Sequence, residues 1–509
     1  MSLFKRLAQL VQIGRHLHRI RHSRTAEQKL RAQHALVSLL SDARGISMKV
    51  GQLFASPDGN NPFQALVDQA TPFPLNVITT EISSALAQPT RQVFKHLAPA
   101  SKAASLGQVH FAELLDGTPV AIKVRYPDIV AALDAELHLA GLMPGLGPIK
   151  QWGFDLEGYK RQLQANMQRE LDYWEEAKRQ DYFKTHLNIA GLSIPSVYLE
   201  LCRPQLLVQS RAHGEPLSVI SSWSWQQREQ IATILWQTVF KSLFELGELH
   251  ADPHAGNYLF DLDPEGLAVV HLLDFGCTVP IERRRRLALL KLILACREHS
   301  ELRPLDCLVA LGFAADKLSH IHGALPHLCQ ILLRPFLSDN IFNPQAWQIE
   351  QDIQRLLGEQ RWWFRAAGPA DFLLLMRALQ GLLMQLQHLQ VPLNWWQLLQ
   401  TTLAPTTFAQ ARDLDLPVIN AKAPSFALQA SKLQVEITEH GQLLVNVTLP
   451  ADAVFELDEL SPPDVHAKLQ QSTHINLSQL VQQLQTQGVT PQLLFELDDA
   501  PKTYKVWLE

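Results

Sequence analysis

Two short motifs restrict the folds open to this sequence more tightly than its length or composition does. The first is the run His250-Ala251-Asp252-Pro253-His254-Ala255-Gly256-Asn257, and the second is Asp274-Phe275-Gly276. Between them, Tyr258–Asp261 and Ala268–Leu273 predict a β-hairpin around an Asp-Pro-Glu-Gly turn. One loop thus carries a carboxylate and an amide five residues apart, and the hairpin delivers a second carboxylate beside it. Carboxylate and amide oxygens suit a metal ion, and such an ion can in turn bind phosphate groups.

A lysine and several acids precede these motifs. Val120-Ala121-Ile122-Lys123 predicts a strand that ends in lysine after an Asp116-Gly117 turn, although an ordinary strand with one outward lysine explains the same residues. The helical pattern of residues 156–187 contains the acids Glu170, Asp172 and Glu176. A solvated helix face is the usual reason for such a group. Its place between the lysine strand and the loop motif favours an ion pair with Lys123 instead.

Composition excludes several classes of protein. The 509 residues are 47% apolar and 19% charged, as in soluble globular chains, and their number suggests two to four domains. A net charge of -5 gives no indication of a nucleic-acid partner. The five cysteines are scattered without a CxxC pair, so a reducing, cytoplasmic setting is expected. No apolar run approaches the ~20 residues of a transmembrane helix. His250 and His254 are interpreted as hydrogen-bonded loop residues and not as metal ligands.

Taken together, the motifs resemble those of the UbiB/ADCK (AarF-like) family of atypical kinases over about residues 40–290. The resemblance depends on motifs in the order found in that family, namely Lys49-Val50-Gly51-Gln52, Ala103–His110, Val120–Lys123, Glu170-Leu171-Asp172 with Glu176-Ala177, His250–Asn257 and Asp274–Gly276. The combination of K-x-G-Q with an alanine-rich loop is typical of this family and not of kinases at large. The glycine-rich loop of ordinary kinases is absent before Lys123.

The family implies ATP (or ADP) and Mg²⁺ as ligands and assigns residue roles. Lys123 would pair with Glu176 and contact the nucleotide. Asp274 and Asn257 would hold magnesium, and Asp252 would occupy the catalytic-base position. The residues implied around the nucleotide are Ala103, Ala104 and Ser105 of the alanine-rich loop, Lys49 and Gln52 of the N-terminal extension, and Glu170 and Asp172, which would lie near Lys49.

The implied fold is α+β, a two-lobed protein-kinase-like core with an N-terminal helical extension. The tail after Pro405 departs from the family: alternation over Lys432–Thr438 and Leu443–Leu449, a helical pattern over 476–486 and strand-like Pro491–Leu497 and Thr503–Leu508 predict a small C-terminal α+β module. The expected boundaries are residues 1–90 for the extension, 91–212 for the sheet-rich N-lobe, 213–410 for the helical C-lobe and 414–509 for the module. In this family the extension covers the usual protein-substrate groove. Members are associated with ubiquinone and isoprenoid-lipid metabolism, so membrane lipids, quinone intermediates and quinone-biosynthesis proteins are the expected partners.

Two hypotheses follow. The first is an ATP- and magnesium-dependent atypical kinase or ATPase, supported by the complete set Lys123, Glu176, Asp252, Asn257 and Asp274. The second is a catalytically weak pseudokinase scaffold that uses nucleotide binding as a switch. Three departures from the family pattern favour the scaffold. Lys102 stands at the first alanine of the loop, the hinge segment Leu206–Ser210 lacks the usual acidic residue, and the C-terminus resembles a soluble module where family members often carry transmembrane helices. A conventional protein kinase is disfavoured because the glycine loop and an A-P-E motif are missing.

The first 24 residues predict an amphipathic helix. Leu3, Leu7, Leu10 and Leu17 share one stripe, and the first 26 residues carry arginines and lysines but no acid. Such a helix can lie in the surface of an anionic bilayer. Packing of the same stripe on the kinase-like core is the alternative. The sequence thus predicts either a peripheral membrane protein or a protein whose terminus folds back on it.

Overall fold

The computed structural model describes residues 72–103, 106–127, 129, 152–298, 300, 303–419 and, with gaps, 430–508. The helices are α1 (Leu75–Leu86), α2 (Leu156–Glu170), α3 (Tyr173–His186), α4 (Leu217–Ile220), α5 (Trp225–Lys241), α6 (Arg283–Glu298), α7 (Pro304–Ala310), α8 (Ala315–Leu318), α9 (Leu325–Leu333), α10 (Ile349–Leu357), α11 (Arg361–Ala367), α12 (Phe372–Leu389), α13 (Trp395–Thr402), α14 (Pro405–Asp413) and α15 (Leu477–Gln487). The strands are β1 (Phe94–Ala103), β2 (Gly107–Leu114), β3 (Pro119–Arg125), β4 (Leu192–Ser193), β5 (Leu206–Ser210), β6 (Glu248–His250), β7 (Tyr258–Leu262), β8 (Ala268–Leu272), β9 (Thr278–Pro280), β10 (Lys432–Glu439), β11 (Gln442–Pro450), β12 (Gln492–Asp499) and β13 (Lys502–Leu508).

An antiparallel sheet of order β1-β2-β3-β5 begins the kinase-like part. The predicted turn between β2 and β3 is confirmed, and Gly117 has the positive φ of 87° that this turn requires. Val120, Ile122 and Val124 of β3 are buried on one face, where they pack with Ile78 and Ile82 of α1. Because side chains alternate along a strand, Lys123 lies on the opposite face of the sheet.

The helical segment predicted over residues 156–187 is interrupted, which corrects the expectation that its acids share one helix. Helix α2 ends at Glu170, and α3 begins at Tyr173. Asp172 is the N-cap of α3, since its side chain accepts the backbone N–H groups of Trp174 and Glu175. Glu176 therefore lies in the first turns of α3, while Glu170 terminates a separate helix.

The strands that follow α3 lead to the two motifs. Strand β4 is limited to Leu192–Ser193, because Pro195 lacks an N–H for a ladder. The hairpin β7–β8 is confirmed, with Tyr258 opposite Leu272. Strand β6, which leads into the loop motif, pairs with β9, which follows Asp274-Phe275-Gly276. Both motifs are thus fixed at the ends of paired strands.

The chain divides into two compact units. The first comprises residues 1–145, 156–280 and 373–391, and the second comprises residues 146–155, 281–372 and 392–509. Within the second unit, the guanidinium of Arg285 makes a two-pronged ion pair with Asp371, at 2.5 and 2.9 Å. The family-based boundaries at 90, 212 and 410 stay predictions.

The C-terminal α+β module is a four-stranded antiparallel sheet of order β11-β10-β13-β12 with α15 on one face. Its own apolar cluster joins Val481 and Leu484 of α15 to Leu433, Leu497 and Val506 of the sheet. The strands and helix that the tail's alternation predicts are therefore present.

The predicted fold class is confirmed, with a sheet-rich N-lobe in an α+β kinase-like chain. Across the residues that the structure describes, no helix combines the length and hydropathy needed to cross a membrane. The amphipathic segment 1–24 and the K-x-G-Q motif lie outside the described residues.

Candidate active site

Lys123 is the centre of the candidate site. Its ammonium Nζ lies 2.8 and 2.9 Å from the two carboxylate oxygens of Glu176 and 2.8 Å from Oδ2 of Asp274. The ring of Tyr173 lies beneath the ammonium, with its centroid 4.9 Å away. The side chains come from β3, α3 and the segment after β8, so the ion pair joins the N-lobe sheet to the metal-ligand motif.

Burial makes this ion pair electrostatically strong. Glu176 is 1% exposed and Lys123 is 18% exposed. Burial lowers the pKa of Lys123, but the charges of Asp274 and then Glu176 outweigh burial and hold that pKa well above its ordinary value. Burial raises the pKa of Glu176 to about 7 against the opposing charge of Lys123. Burial would raise the pKa of Asp274 too, but Lys123 reverses the effect and holds it below its usual value.

The backbone of Gly107 packs closely against Tyr173, whose ring contacts the ammonium of Lys123. A Cβ on Gly107, the first residue of β2, would overlap the hydroxyl of Tyr173 and the carbonyl of Val124. Only glycine therefore lets β2 pass over Tyr173. The alanine-rich motif thus contributes a packing glycine next to the lysine.

The Asp274-Phe275-Gly276 turn is held from several directions. Gly276 donates its N–H to Oδ1 of Asp274 at 2.9 Å, and Phe275 donates its N–H to Glu176 at 3.3 Å. Nε2 of His250 lies 2.6 Å from the carbonyl oxygen of Asp274 and must donate, because a carbonyl only accepts. Burial lowers the pKa of His250, so the ring is neutral. The interpretation of His250 as a hydrogen-bonded loop histidine is confirmed.

The other loop histidine also bonds to backbone. Nδ1 of His254 accepts the N–H of Gly256 at 3.0 Å, at the start of the 3₁₀ turn Ala255–Asn257. The amide of Asn257 donates to the carbonyl of Asp252 at 3.1 Å. Leu273 donates its N–H to the carbonyl of Asn257, so Asn257 lies beside the residue that precedes Asp274. The pairing of β7 with β8 thus brings the two predicted metal ligands together.

Asp252, the residue in the catalytic-base position, is paired with an arginine that sequence reasoning did not identify. Arg377 of α12 donates to Oδ1 of Asp252 at 2.6 Å. Burial lowers the pKa of Arg377, but the charges of Asp252, Cys277 and Glu170 together outweigh burial and raise that pKa. The two residues are 125 positions apart, and nothing in the local sequence around Arg377 indicates the contact.

The same helix clamps the rest of the loop. Gln385 donates to the carbonyl of Pro253 at 3.0 Å. A Cβ on Gly381 would overlap the ring of Pro253, so glycine permits α12 to lie directly against the loop. Three positions of α12, spaced by four residues, therefore hold the residues Asp252 and Pro253.

The remaining predicted residues fall partly outside the site that can be described. Lys49, Gln52, Ala104 and Ser105 lie outside the described residues, and Ala103 is described only as the last residue of β1. Asp172 is occupied as the N-cap of α3. Glu170 lies close to the site. A Cβ placed on Gly276 would be 3.7 Å from Cγ of Glu170 and 3.6 Å from Oε2 of Glu176, so both glutamates border the Asp274-Phe275-Gly276 turn.

A glutamine of the alanine-rich motif has a clear structural partner. Gln108 is fully buried, accepts the N–H of Phe73 at 2.7 Å and donates to the carbonyl of Phe73 at 3.3 Å. Its amide nitrogen also lies 2.8 Å from Nε2 of His110. The motif therefore ties the segment before α1 to β2.

The two predicted metal ligands, Asp274 and Asn257, suit magnesium. Asp274 offers a carboxylate and Asn257 an amide oxygen, and hard oxygen donors are what Mg²⁺ binds. No group of three or more His, Cys, Asp or Glu side chains within the described ranges is arranged for a metal. A site of one carboxylate and one amide fits an ion that keeps waters and takes its other ligands from phosphates.

Comparison with known proteins agrees with this geometry. Residues 65–303 match the family model of the ABC1 atypical kinase-like domain. The chain is 24% identical over 357 residues to the mitochondrial atypical kinase coq-8 of Caenorhabditis elegans, covering 68% of this chain and 47% of that protein. It is 27% identical to the mitochondrial atypical kinase COQ8B of Rattus norvegicus, covering 63% and 62%. An aarF domain-containing chloroplastic protein kinase of Arabidopsis thaliana is 31% identical, covering 49% of this chain and 36% of that protein. In each case less than two thirds of the relative is matched.

Proposed function

Since this chain belongs to the UbiB/ADCK family of atypical kinases, we propose that it binds ATP with Mg²⁺ and acts as an atypical kinase or ATPase. The observation that carries the proposal is the buried contact of Lys123 with both Glu176 and Asp274. A lysine held by a helix carboxylate and placed beside a metal-binding carboxylate is the arrangement that phosphoryl transfer requires.

Each group in the site has a chemical task in this proposal. The charged Lys123 neutralises phosphate oxygens, and Glu176 fixes its position. Asp274 and Asn257 would hold the magnesium ion, which neutralises charge that develops on the phosphates. Gly276 and His250 orient Asp274 through its own carboxylate and its backbone carbonyl.

The alternative, a catalytically weak pseudokinase scaffold, is favoured by one observation. Asp252 is 13% exposed and its carboxylate is bound by Arg377. A carboxylate that is paired with a half-buried guanidinium is a weaker proton acceptor than one that is not. Nucleotide binding would then act as a switch with little turnover.

ATP binding and turnover separate these two functions. ATP with Mg²⁺ at about a hundredfold excess over its Kd should stabilise the folded chain by ~2.7 kcal/mol, measured by thermal unfolding. Asp274→Asn should abolish the magnesium-dependent part of this stabilisation and ATP hydrolysis. Asp413→Asn, an exposed change at the end of α14, is the matched control. Hydrolysis by the wild type at the rate of Asp274→Asn, with ATP still bound, would establish the scaffold and contradict the enzyme.

We further propose that the protein acts in ubiquinone or isoprenoid-lipid metabolism at the cytoplasmic surface of a membrane. The names of the COQ8 relatives and the basic, amphipathic pattern of residues 1–24 support this proposal. The partners would be membrane lipids, quinone intermediates or quinone-biosynthesis proteins. Co-sedimentation with anionic liposomes should be lost on deletion of residues 1–24, and unchanged binding would contradict the role of that segment.

A further inference from the structure

The C-terminal module has two edge strands of opposite character. In the sheet order β11-β10-β13-β12, the outer strands β11 and β12 have no further partner strand among the described residues. Strand β12 (QLLFELDD) carries three acids, Glu496, Asp498 and Asp499. Strand β11 (QLLVNVTLP) carries no charged residue over its nine positions. Soluble proteins block an edge with charges, so β12 is protected and β11 is not.

Strand β11 is also exposed and apolar. Leu443 is 58% exposed, Leu444 50%, Val445 37% and Val447 40%, whereas Leu449 packs against the module's apolar cluster. Strand β10 occupies one side of β11, from Lys432 opposite Pro450 to Glu439 opposite Gln442. The outer side therefore presents backbone N–H and C=O groups flanked by apolar side chains. Chemically, such a row fits an extended strand.

We propose that β11 pairs antiparallel with β11 of a second copy of this chain. Because the strand is uncharged, self-pairing brings no like charges together. A register centred on Asn446 sets Val445 of each copy opposite Val447 of the other and Asn446 opposite its counterpart. Apolar side chains would thus pack against apolar ones and the two Asn446 amides against each other, and the sheet would continue through both copies.

The charge on the other edge limits the assembly to two copies. A contact between β11 surfaces is two-fold symmetric and closes on itself. The strands left at the two outer edges are then both β12, whose Glu496 and Asp499 form ion pairs with Lys505 and Lys468. A further strand on this edge would have to desolvate these ion pairs, and edges that carry charges resist such pairing. Head-to-tail growth would need β12 to face β11, which would remove water from the ion pair of Glu496 with Lys505 beside apolar side chains, at a cost in free energy.

The mass of the full-length protein across a concentration series tests this dimer. We expect a monomer–dimer equilibrium by light scattering after size exclusion. Val445→Lys/Val447→Lys places lysines opposite one another and should raise the dimer dissociation constant by at least about tenfold. Leu493→Lys, on the exposed start of β12 at the other edge, is the matched control and should leave the constant unchanged.

A charge-reversed pair tests the register. In the variant Val445→Lys/Val447→Glu, each lysine faces a glutamate of the other copy, so association should recover relative to the double-lysine variant. Hydrogen exchange adds a measurement on the unmodified protein. The amides of β11 that face away from β10 should become protected as concentration rises, whereas those bonded to β10 should not change.

Several results would overturn the proposal. A monomer at every concentration, or dissociation caused by Leu493→Lys alone, contradicts pairing through β11. Open-ended growth contradicts the closed dimer. Protection in the monomer of the outward-facing amides of β11, which do not bond to β10, would mean that the edge is covered within one chain. Failure of Val445→Lys/Val447→Glu to recover association contradicts the register centred on Asn446.

Discussion

At the scale of the residue, the site depends on one cation between two carboxylates. Lys123 bonds to Glu176 and to Asp274 in a setting where Glu176 is almost completely buried. Buried charges of this kind are stable only as a set, since removal of one partner leaves another charge unpaired.

Lys123→Met should therefore destabilise the protein by about 3–5 kcal/mol, because it leaves Glu176 and Asp274 close together without a cation. The double variant Lys123→Met/Glu176→Gln should recover part of this loss, since it removes one of the two carboxylates. Chemical denaturation of the wild type, both single variants and the double variant gives the coupling free energy. Additive effects of the two changes would mean that the contact contributes little.

His250 makes stability depend on pH. Its Nε2–H donates to the carbonyl of Asp274, and its Nδ1 is buried without a hydrogen-bond partner among the described residues. Burial holds the pKa of the folded state below the ordinary 6.5, so the unfolded chain takes up a proton first as the pH falls. The contribution of His250 is thus fully present above pH 6.5 and is lost as the pH falls below it.

In His250→Gln, the free energy of unfolding should decline less steeply below pH 6.5 than in the wild type. His110 and His271, whose pKa values are also lowered by burial, leave a residual slope. Urea denaturation across this pH range measures the difference, with exposed His96→Gln as the control. Equal slopes in the wild type and His250→Gln would show that the pKa of His250 is the same in the folded and the unfolded chain.

At the scale of the element, helix α12 organises the loop that carries Asp252. It supplies Arg377 to the carboxylate, Gln385 to the carbonyl of Pro253, and the small Gly381 where the helix and loop touch. The loop motif is therefore complete only when a helix that begins more than a hundred residues later packs on it.

Gly381→Ala should displace this loop. Alanine stabilises a helix by roughly 1 kcal/mol relative to glycine, but the new methyl overlaps Pro253, and overpacking costs about 1–3 kcal/mol. We expect a net loss of stability and a slower ATP hydrolysis, measured by denaturation and by phosphate release. Gly323→Ala, where a Cβ would meet nothing within 4 Å, is the control. Equal stability of both variants would contradict the close packing of α12.

At the scale of the whole molecule, the C-terminal module has an apolar cluster of its own. The members of that cluster all come from residues 430–508. The matched kinase-like domain ends at residue 303. The module therefore has a core of its own and lies outside the part of the chain that matches the kinase-like domain.

Truncation after Ile419 should leave the stabilisation by ATP and Mg²⁺ within error of the full-length value, because every residue proposed to bind them, from Lys49 to Asp274, is retained. The same truncation should remove self-association, since β11 is deleted. Thermal unfolding with nucleotide and light scattering measure the two effects. Loss of the nucleotide effect in a truncated chain that keeps its circular dichroism would assign the module a part in the site.

The amino-acid sequence alone determined the local parts of this protein. The alternation in Val120–Lys123 places the lysine opposite the buried Val120 and Ile122, and the spacing of the loop and hairpin motifs places Asn257 near Asp274. These relations depend on chain neighbours and on strand periodicity, which short sequence patterns record. The contact of Arg377 with Asp252, the fit of Gly381 against Pro253 and the position of Gly107 over Tyr173 were decided by tertiary structure. Each joins residues distant in sequence, and close packing selects them by shape and charge at a point that no local pattern encodes.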